Sequence, residues 1–375
     1  MIRPYYAVKC NPDRALLQTL SSFGAGFDCA SGRELTEVSE IGYGKEKFKD
    51  RVVYANPCKP NRDLQKAKLF GSPTTVVDSC EEVDKLKSVG WEGSALIRLL
   101  VEDKGSIMPF SRKFGLKLTD VGKVSAYANK KGIPLTGVSF HVGSGCQDPK
   151  QYASAMSQAL TSMKTMKENG HTCDMIDIGG GFLPDPKAFA EYARVIRCGM
   201  RNALENKSLR YIAEPGRFFA TDSYDLFVQV IGKKPSLDGE GWRYTIDESL
   251  YGQFSCIPFD HKKPTWIRVP TVYEHKKVPR RTVKGTLFGR TCDSLDMIAK
   301  SDAMEELEVG DWLWFPNMGA YTSVTASEFN GFPKPPIHGT ETNYLLPSTD
   351  DLVTQGYKNR FPESVSTVTA VSINE

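Results

Sequence analysis

Between Pro4 and about Phe219 the chain repeats one phrase eight times: a short apolar run, then an amphipathic stretch of helical period. The apolar runs are residues 5–9, 25–29, 52–56, 75–78, 95–101, 136–141, 175–178 and 210–214. Strand alternating with helix implies parallel strands joined by crossovers. Each run is apolar enough to be covered on both faces, which points to a closed (β/α)8 TIM-type barrel over residues 1–219. An open, doubly wound sheet is the alternative. Two helical stretches are clearest, "SGRELTEVSEIG" and "DPKQYASAMSQALTSMKTMKENG". In the first, Ser31 stands as N-cap with Glu34 at the capping-box position.

After Phe219 the texture changes. "YDLFVQVIGKK", "GWRYTIDESLYG", "TWIRVPTVY", "RTVKGTLFG" and "DWLWFPNMGAY" are short β-rich runs separated by Gly, Pro and charge. They predict a mostly antiparallel β domain over residues 220–332. Residues 333–375, with Pro333, Pro335, Pro336 and a Ser/Thr-rich end, read as a polar, disordered tail. Net charge is +3 with no long basic run, which implies neither nucleic acid nor an anionic membrane as partner. The nine cysteines are scattered without a C-x-x-C pair, as expected of free thiols in a reducing compartment and not of a metal site. No apolar stretch is long enough to span a membrane, and the chain opens directly on a strand, so a cytoplasmic protein is expected.

In such a barrel, function collects where strands end, and phosphate tends to bind after strands seven and eight. The predicted strand ends carry Lys9, then Asp28, then His141 and Ser144 in "SFHVGSG", Gly179, Gly180 and Gly181 in "IDIGGGF", and Glu214 and Arg217 in "AEPGR". A lysine at a strand mouth either snorkels to solvent or, desolvated and with a lowered pKa, forms a Schiff base. "GGG" alone is a tight turn, and His141 alone a satisfied core histidine. Three glycines after strand seven with an arginine after strand eight make a phosphate cup. A carboxylate beside such a cup needs a cation to face. Lys9, the cup and Glu214 together describe pyridoxal phosphate, with Lys9 on the aldehyde and Glu214 on the ring nitrogen.

Ordered from Arg3 to Phe332, "PYYAVKCNP", "GAGFDCASGREL", "VVYANPCKP", "GVSFHVGSGC", "IDIGGGF", "AEPGRFF", "LYGQFSC", "FDH", "CDSLD", "VGDWLWFPNMGAYT" and "FNGF" resemble the eukaryotic-type ornithine decarboxylase family. That family has an alanine-racemase-like barrel and a β domain. The resemblance implies decarboxylation of L-ornithine to putrescine, the first step of polyamine biosynthesis, with pyridoxal phosphate on Lys9. It implies a supporting role for Asp28, ring stacking for His141, and phosphate contacts from Ser144, Gly181, Arg217 and Tyr321. It further implies a head-to-tail homodimer in which Cys292 and Asp293 come from the other subunit. There Cys292 directs reprotonation, while Asp293 and Asp260 bind the distal amine. Two carboxylates converging on one site also favour a terminal ammonium on physical grounds.

Three departures stand out. The family carries a segment before "PYYAVKCN", whereas here Met1 lies two residues before Arg3, so a shortened start is expected. Pro109 stands where the family has an arginine. Arg290 replaces a proline beside Cys292, where it could lower the thiol's pKa or compete for Asp293. Other readings are a lysine, arginine or diaminopimelate decarboxylase, or a catalytically silent homologue that binds a regulatory partner. The family also admits a regulatory inhibitor protein as partner.

Overall fold

The computed structural model describes residues 1–201, 209–269 and 280–339. The chain divides into two compact units: Met1–Ser223 with Gly319–Val324, and Tyr224–Met318 with the residues from Thr325 onward.

The first unit is a closed parallel barrel. Its strands are β1 (Ile2–Ala7), β2 (Gly26–Cys29), β3 (Val52–Tyr54), β4 (Thr74–Val77), β5 (Ala95–Arg98), β6 (Leu135–Ser139), β7 (Met175–Asp177) and β8 (Arg210–Ala213). Each pairs with its neighbour in sequence, and β8 closes onto β1 with Ile2 opposite Tyr211. All eight predicted runs therefore become barrel strands. Tyr5, Val53, Val76, Leu96, Met175 and Ile212 form one buried cluster. In helix Lys150–Glu168 the buried Tyr152, Ala155, Met156, Ala159, Met163 and Met166 recur at helical spacing, which is the amphipathic pattern of a helix laid on a core.

Two local features differ from the sequence expectation. The Ser31 hydroxyl accepts from the Glu34 amide, but the Glu34 carboxylate reaches back one residue further, accepting from the Ala30 amide at 2.7 Å. Burial pushes that carboxyl up to about 7. Strand β1 stops at Ala7, and Val8–Cys10 form a single 3-10 turn, so Lys9 lies on a turn and not at a strand end. The backbone leaves the sheet there because it is bonded to residues 319–321. The Asn11 amide donates to the Gly319 carbonyl at 2.9 Å, and the Tyr321 amide donates to the Cys10 carbonyl at 3.0 Å. Residues 319–324 thus belong with the barrel, although sequence division places them in the second domain.

The second unit is a six-stranded sheet of β9 (Leu226–Pro235), β10 (Trp242–Ile246), β11 (Ile267–Val269), β12 (Thr282–Phe288), β13 (Met297–Glu305) and β14 (Trp312–Phe315). The order is β11-β14-β9-β10-β12-β13, antiparallel except between β10 and β12. Leu226, Val228, Tyr244, Ile246, Leu287, Leu313 and Phe315 centre its core. Strand β13 has no counterpart among the predicted runs. It lies at the sheet's edge, and its Lys300, Asp302 and Glu305 interrupt the apolar pattern, as charged residues do on edge strands. The second half of "TWIRVPTVY" and residues 340–375 of the predicted tail lie outside the described residues. Among the described residues no helix is long and apolar enough to cross a membrane.

Candidate active site

The C-terminal mouth of the barrel holds an unusual density of charge. Asp28, at the end of β2, is fully buried and ion-paired with the Lys9 ammonium, while the Lys9 side chain remains 37% exposed and therefore reachable. The second Asp28 oxygen, Oδ1, has no hydrogen-bond partner among the described residues. Burial pulls the Lys9 pKa down, but the carboxylates of Asp28 and Glu214 outweigh it and hold the value above that of an ordinary lysine. The lowered pKa expected of a Schiff-base lysine is thus not found, because two carboxylates face the amine.

Glu214 follows β8 and is buried, with its amide donating to the Gly179 carbonyl at 2.7 Å. Its Oε1 has no hydrogen-bond partner among the described residues. Burial, then the nearby carboxylates of Asp177 and Asp28, push the Glu214 carboxyl well above the usual range. Asp177, at the end of β7, accepts from the Gly179 amide at 2.9 Å and from the Ser139 hydroxyl at 3.1 Å. Burial raises Asp177 as well, to about 6, while a hydrogen bond from Glu214 opposes that shift.

His141 follows β6. Its Nδ1 accepts from the Gly143 amide at 3.0 Å, which assigns the ring proton to Nε2. Burial, then the cations of Arg98 and Lys9, depress its pKa far enough to keep the ring neutral.

The anion cup is also assembled. Arg217 opens the short helix Arg217–Ala220 and donates from Nη2 to the Ser144 hydroxyl at 3.1 Å. Its guanidinium lies 5.1 Å from the centre of the Tyr321 ring. Gly181 lines the same pocket as Lys9, His141, Ser144, Glu214 and Arg217. Gly179 and Gly180 do not line it. They pack so closely that an added Cβ would lie 2.2 Å from the Phe140 carbonyl oxygen and 2.5 Å from that of Glu214. Gly181 combines φ of +103° with a would-be Cβ 2.6 Å from the Gly143 carbonyl oxygen. Gly181→Ala is therefore expected to displace the loop and weaken phosphate binding about tenfold or more, with the fold retained. Titration of the purified variant with pyridoxal phosphate measures this, and unchanged affinity would contradict it.

These residues fit pyridoxal phosphate. An amine for the aldehyde, a guanidinium and hydroxyls for the phosphate, and an unpartnered buried carboxyl oxygen for a cationic ring nitrogen open on one pocket. Residues 1–221 match a family described as the pyridoxal binding domain of pyridoxal-dependent decarboxylases. The chain belongs to this family.

Among other members, it is 38% identical to the ornithine decarboxylase of Schizosaccharomyces pombe, covering 92% of this chain and 79% of the yeast protein. It is 36% identical to antizyme inhibitor 2 of Xenopus laevis, covering 90% of this chain and 75% of that protein. The crystal structure of the Paramecium bursaria Chlorella virus arginine decarboxylase bound to agmatine superposes with a TM-score of 0.82. Identity there is 34%, over 88% of each chain. The chain is thus a pyridoxal-phosphate-dependent decarboxylase homologue of the ornithine, arginine and lysine type.

The remaining candidate residues of this decarboxylase homologue lie in the second unit. Asp260 ends the short helix Cys256–Asp260 and is buried. Cys292 is exposed, with its amide donating to the Asn330 side-chain oxygen at 2.9 Å. The Tyr251 hydroxyl and the Leu295 amide both donate to Asp293 and hold its carboxyl below the usual range. Buried Asp296 fixes this loop, accepting from the amides of Leu250 and Thr291 and from the Thr291 hydroxyl. Arg290 does not compete for Asp293. Its guanidinium sits 4.4 Å from the centre of the Phe332 ring and donates to the Pro333 carbonyl at 3.1 Å.

Sequence reasoning missed Asp177, Arg98 and Phe110 at the barrel mouth. Two left a signal: Asp177 precedes the glycine run, and Arg98 interrupts the apolar run "ALIRLLV" at the end of β5. Phe110, which lines the pocket, left none.

Proposed function

We propose that this chain decarboxylates L-ornithine to putrescine and carbon dioxide, as the first step of polyamine biosynthesis in the cytoplasm. The observation that carries the reading is the Lys9 ammonium, ion-paired with buried Asp28, opening on the same pocket as Glu214 and the Arg217–Ser144 cup.

Bound there, pyridoxal phosphate supplies an electron sink for the charge left when carbon dioxide departs. The chain's own groups do the rest. Asp28 orients the Lys9 Nζ, the amine that would hold the cofactor's aldehyde. Arg217, Ser144, Gly181 and Tyr321 fix the phosphate. Glu214 would face the ring nitrogen and favour its protonated form, and His141 would cover one ring face. In this reading Cys292 returns a proton to the substrate's α-carbon, and Asp293 with Asp260 binds its distal ammonium. The family resemblance assigns Cys292 and Asp293 to the second copy of a homodimer. Tyr251 supports the role of Asp293, because a hydroxyl that holds the carboxyl ionised readies it for a cation.

Two readings compete. Solved structures with 28–34% identity include the viral arginine decarboxylase and a lysine/ornithine decarboxylase of Vibrio vulnificus complexed with cadaverine, so lysine and arginine are rival substrates. One methylene is worth about 1–3 kcal/mol of discrimination, so lysine should be turned over more slowly than ornithine. The likeness to antizyme inhibitor 2 favours a regulatory binding protein, against which Lys9, Arg217 and Cys292 all stand in place.

The deciding assay supplies pyridoxal phosphate with ornithine, lysine, arginine or diaminopimelate separately and measures carbon dioxide and amine. Putrescine is expected about tenfold or more above the other amines. No product from any substrate, with the protein folded and dimeric, would establish the regulatory reading instead.

A further inference from the structure

Phe110 stands in the pocket on a loop whose construction suggests why it is there. The short strands Ser106–Met108 and Ser144–Cys146 pair antiparallel, with Met108 opposite Ser144. Directly after Met108 the chain passes through Pro109, which has no amide hydrogen, and turns at Phe110. Buried Asp103 clasps that turn: Oδ2 accepts from the amides of Phe110 and Ser111 at 2.5 and 2.7 Å, and Oδ1 accepts from the Ser111 hydroxyl at 2.8 Å. The far end is held by the Gly115 amide, which donates to Asp78 at 3.0 Å. Nothing about this turn is loose, and the side chain it presents is an aromatic ring.

That ring meets His141 at a centroid distance of 4.9 Å, tilted by 58°. The imidazole is held at one further point, where its Nδ1 accepts from the Gly143 amide. Beside Nε2 lies Gly180, and a Cβ there would come to 3.0 Å, so glycine leaves that side of the ring room. A neutral ring held by one hydrogen bond can still rock about its plane, and Phe110 is the ring packed against it.

We propose that Phe110 is a positioning residue for His141: clamped by Asp103, it sets the plane in which the imidazole faces the cofactor ring. The inference rests on the proposed role of His141 in the cofactor site. It also ties that plane to the phosphate cup, since the strand leading to Phe110 pairs with the strand that carries Ser144.

The test uses the full chain and reads two quantities. The first is the titration of His141 in cofactor-free protein by proton NMR, with His141→Gln used to assign its signal among five histidines. The charged groups acting on His141 are Arg98 and Lys9, with Glu214 lining the same pocket, and none of them is altered. In the wild type burial, then Arg98 and Lys9, hold the His141 pKa well below that of an ordinary histidine, so its signal is expected to show no titration around the usual histidine range. In Phe110→Ala water reaches the ring, the burial penalty falls, and the signal is expected to titrate within that range. The second quantity is affinity for pyridoxal phosphate, expected to weaken about tenfold in Phe110→Ala and less in Phe110→Leu, which keeps bulk but loses the ring. An unchanged titration with unchanged affinity in both variants overturns the inference. If the wild type itself fails to bind pyridoxal phosphate, the proposed function falls instead, and the His141 titration alone decides what Phe110 does.

Discussion

Lys9→Ala is expected to lower kcat by at least about 10⁴-fold and to abolish borohydride-stable attachment of the cofactor. Asp28, Glu214 and the Arg217–Ser144 pair would remain, so pyridoxal phosphate should still enter without being held covalently. Lys9→Arg should fail equally, since a guanidinium keeps the charge but is not a nucleophile at neutral pH. Comparing the two separates charge from chemistry. Stability should respond to charge alone. The Lys9 pKa is raised in the folded chain above its unfolded value, so its contribution is fully present below the unfolded value and is lost only as pH rises through the folded one. Around neutrality Lys9→Ala should therefore lower Tm by an amount nearly independent of pH, while Lys9→Arg restores part of it. Retained turnover in Lys9→Ala would remove the basis of the proposed function.

Much of this site can be seen in the sequence because barrel strands deliver their ends to one face, so that reading strands amounts to reading a site. Lys9, Asp28, His141, Ser144, Gly181, Glu214 and Arg217 all follow or end predicted strands, and the fold gathers them at one mouth. What resisted reading depends on long-range contacts. Lys9 lies on a 3-10 turn because Asn11 and Cys10 bond to residues 319–321, more than 300 positions away in the chain. Tyr321 could be placed only by resemblance for the same reason. Phe110 belongs to a loop whose shape comes from Asp103, and no periodicity announces such a clasp. Strand β13 was invisible because an edge strand needs only one apolar face, and Lys300 and Asp302 occupy the other. The direction of the Lys9 shift is not legible in "YAVKCN", because it depends on how many carboxylates converge, which is a property of the closed barrel.

Glu214→Gln should separate folding from catalysis most sharply. Burial and the nearby Asp177 and Asp28 push the Glu214 carboxyl well up, toward the protonated form that glutamine resembles in shape and charge. The folded pKa lies above the unfolded one, so the folded chain holds a proton that the unfolded chain releases. Stability on this account falls as pH rises from the usual carboxylate range toward the folded value. Glutamine has no proton to lose, so the variant should match the wild type near pH 4–5 and gain on it as pH rises toward 8, measured as Tm against pH. Catalysis should move the other way. Glutamine cannot provide the negative charge that keeps the cofactor's ring nitrogen protonated, and losing a preorganised charge of this kind costs on the order of 10²–10³ in kcat. A variant that is more stable and yet nearly inactive would show that the buried carboxyl with its unpartnered oxygen is kept for the cofactor, at the expense of stability. Wild-type turnover in Glu214→Gln would mean that the ring nitrogen is served by another group, and Asp177, bonded to the Gly179 amide beneath it, would be the next to test.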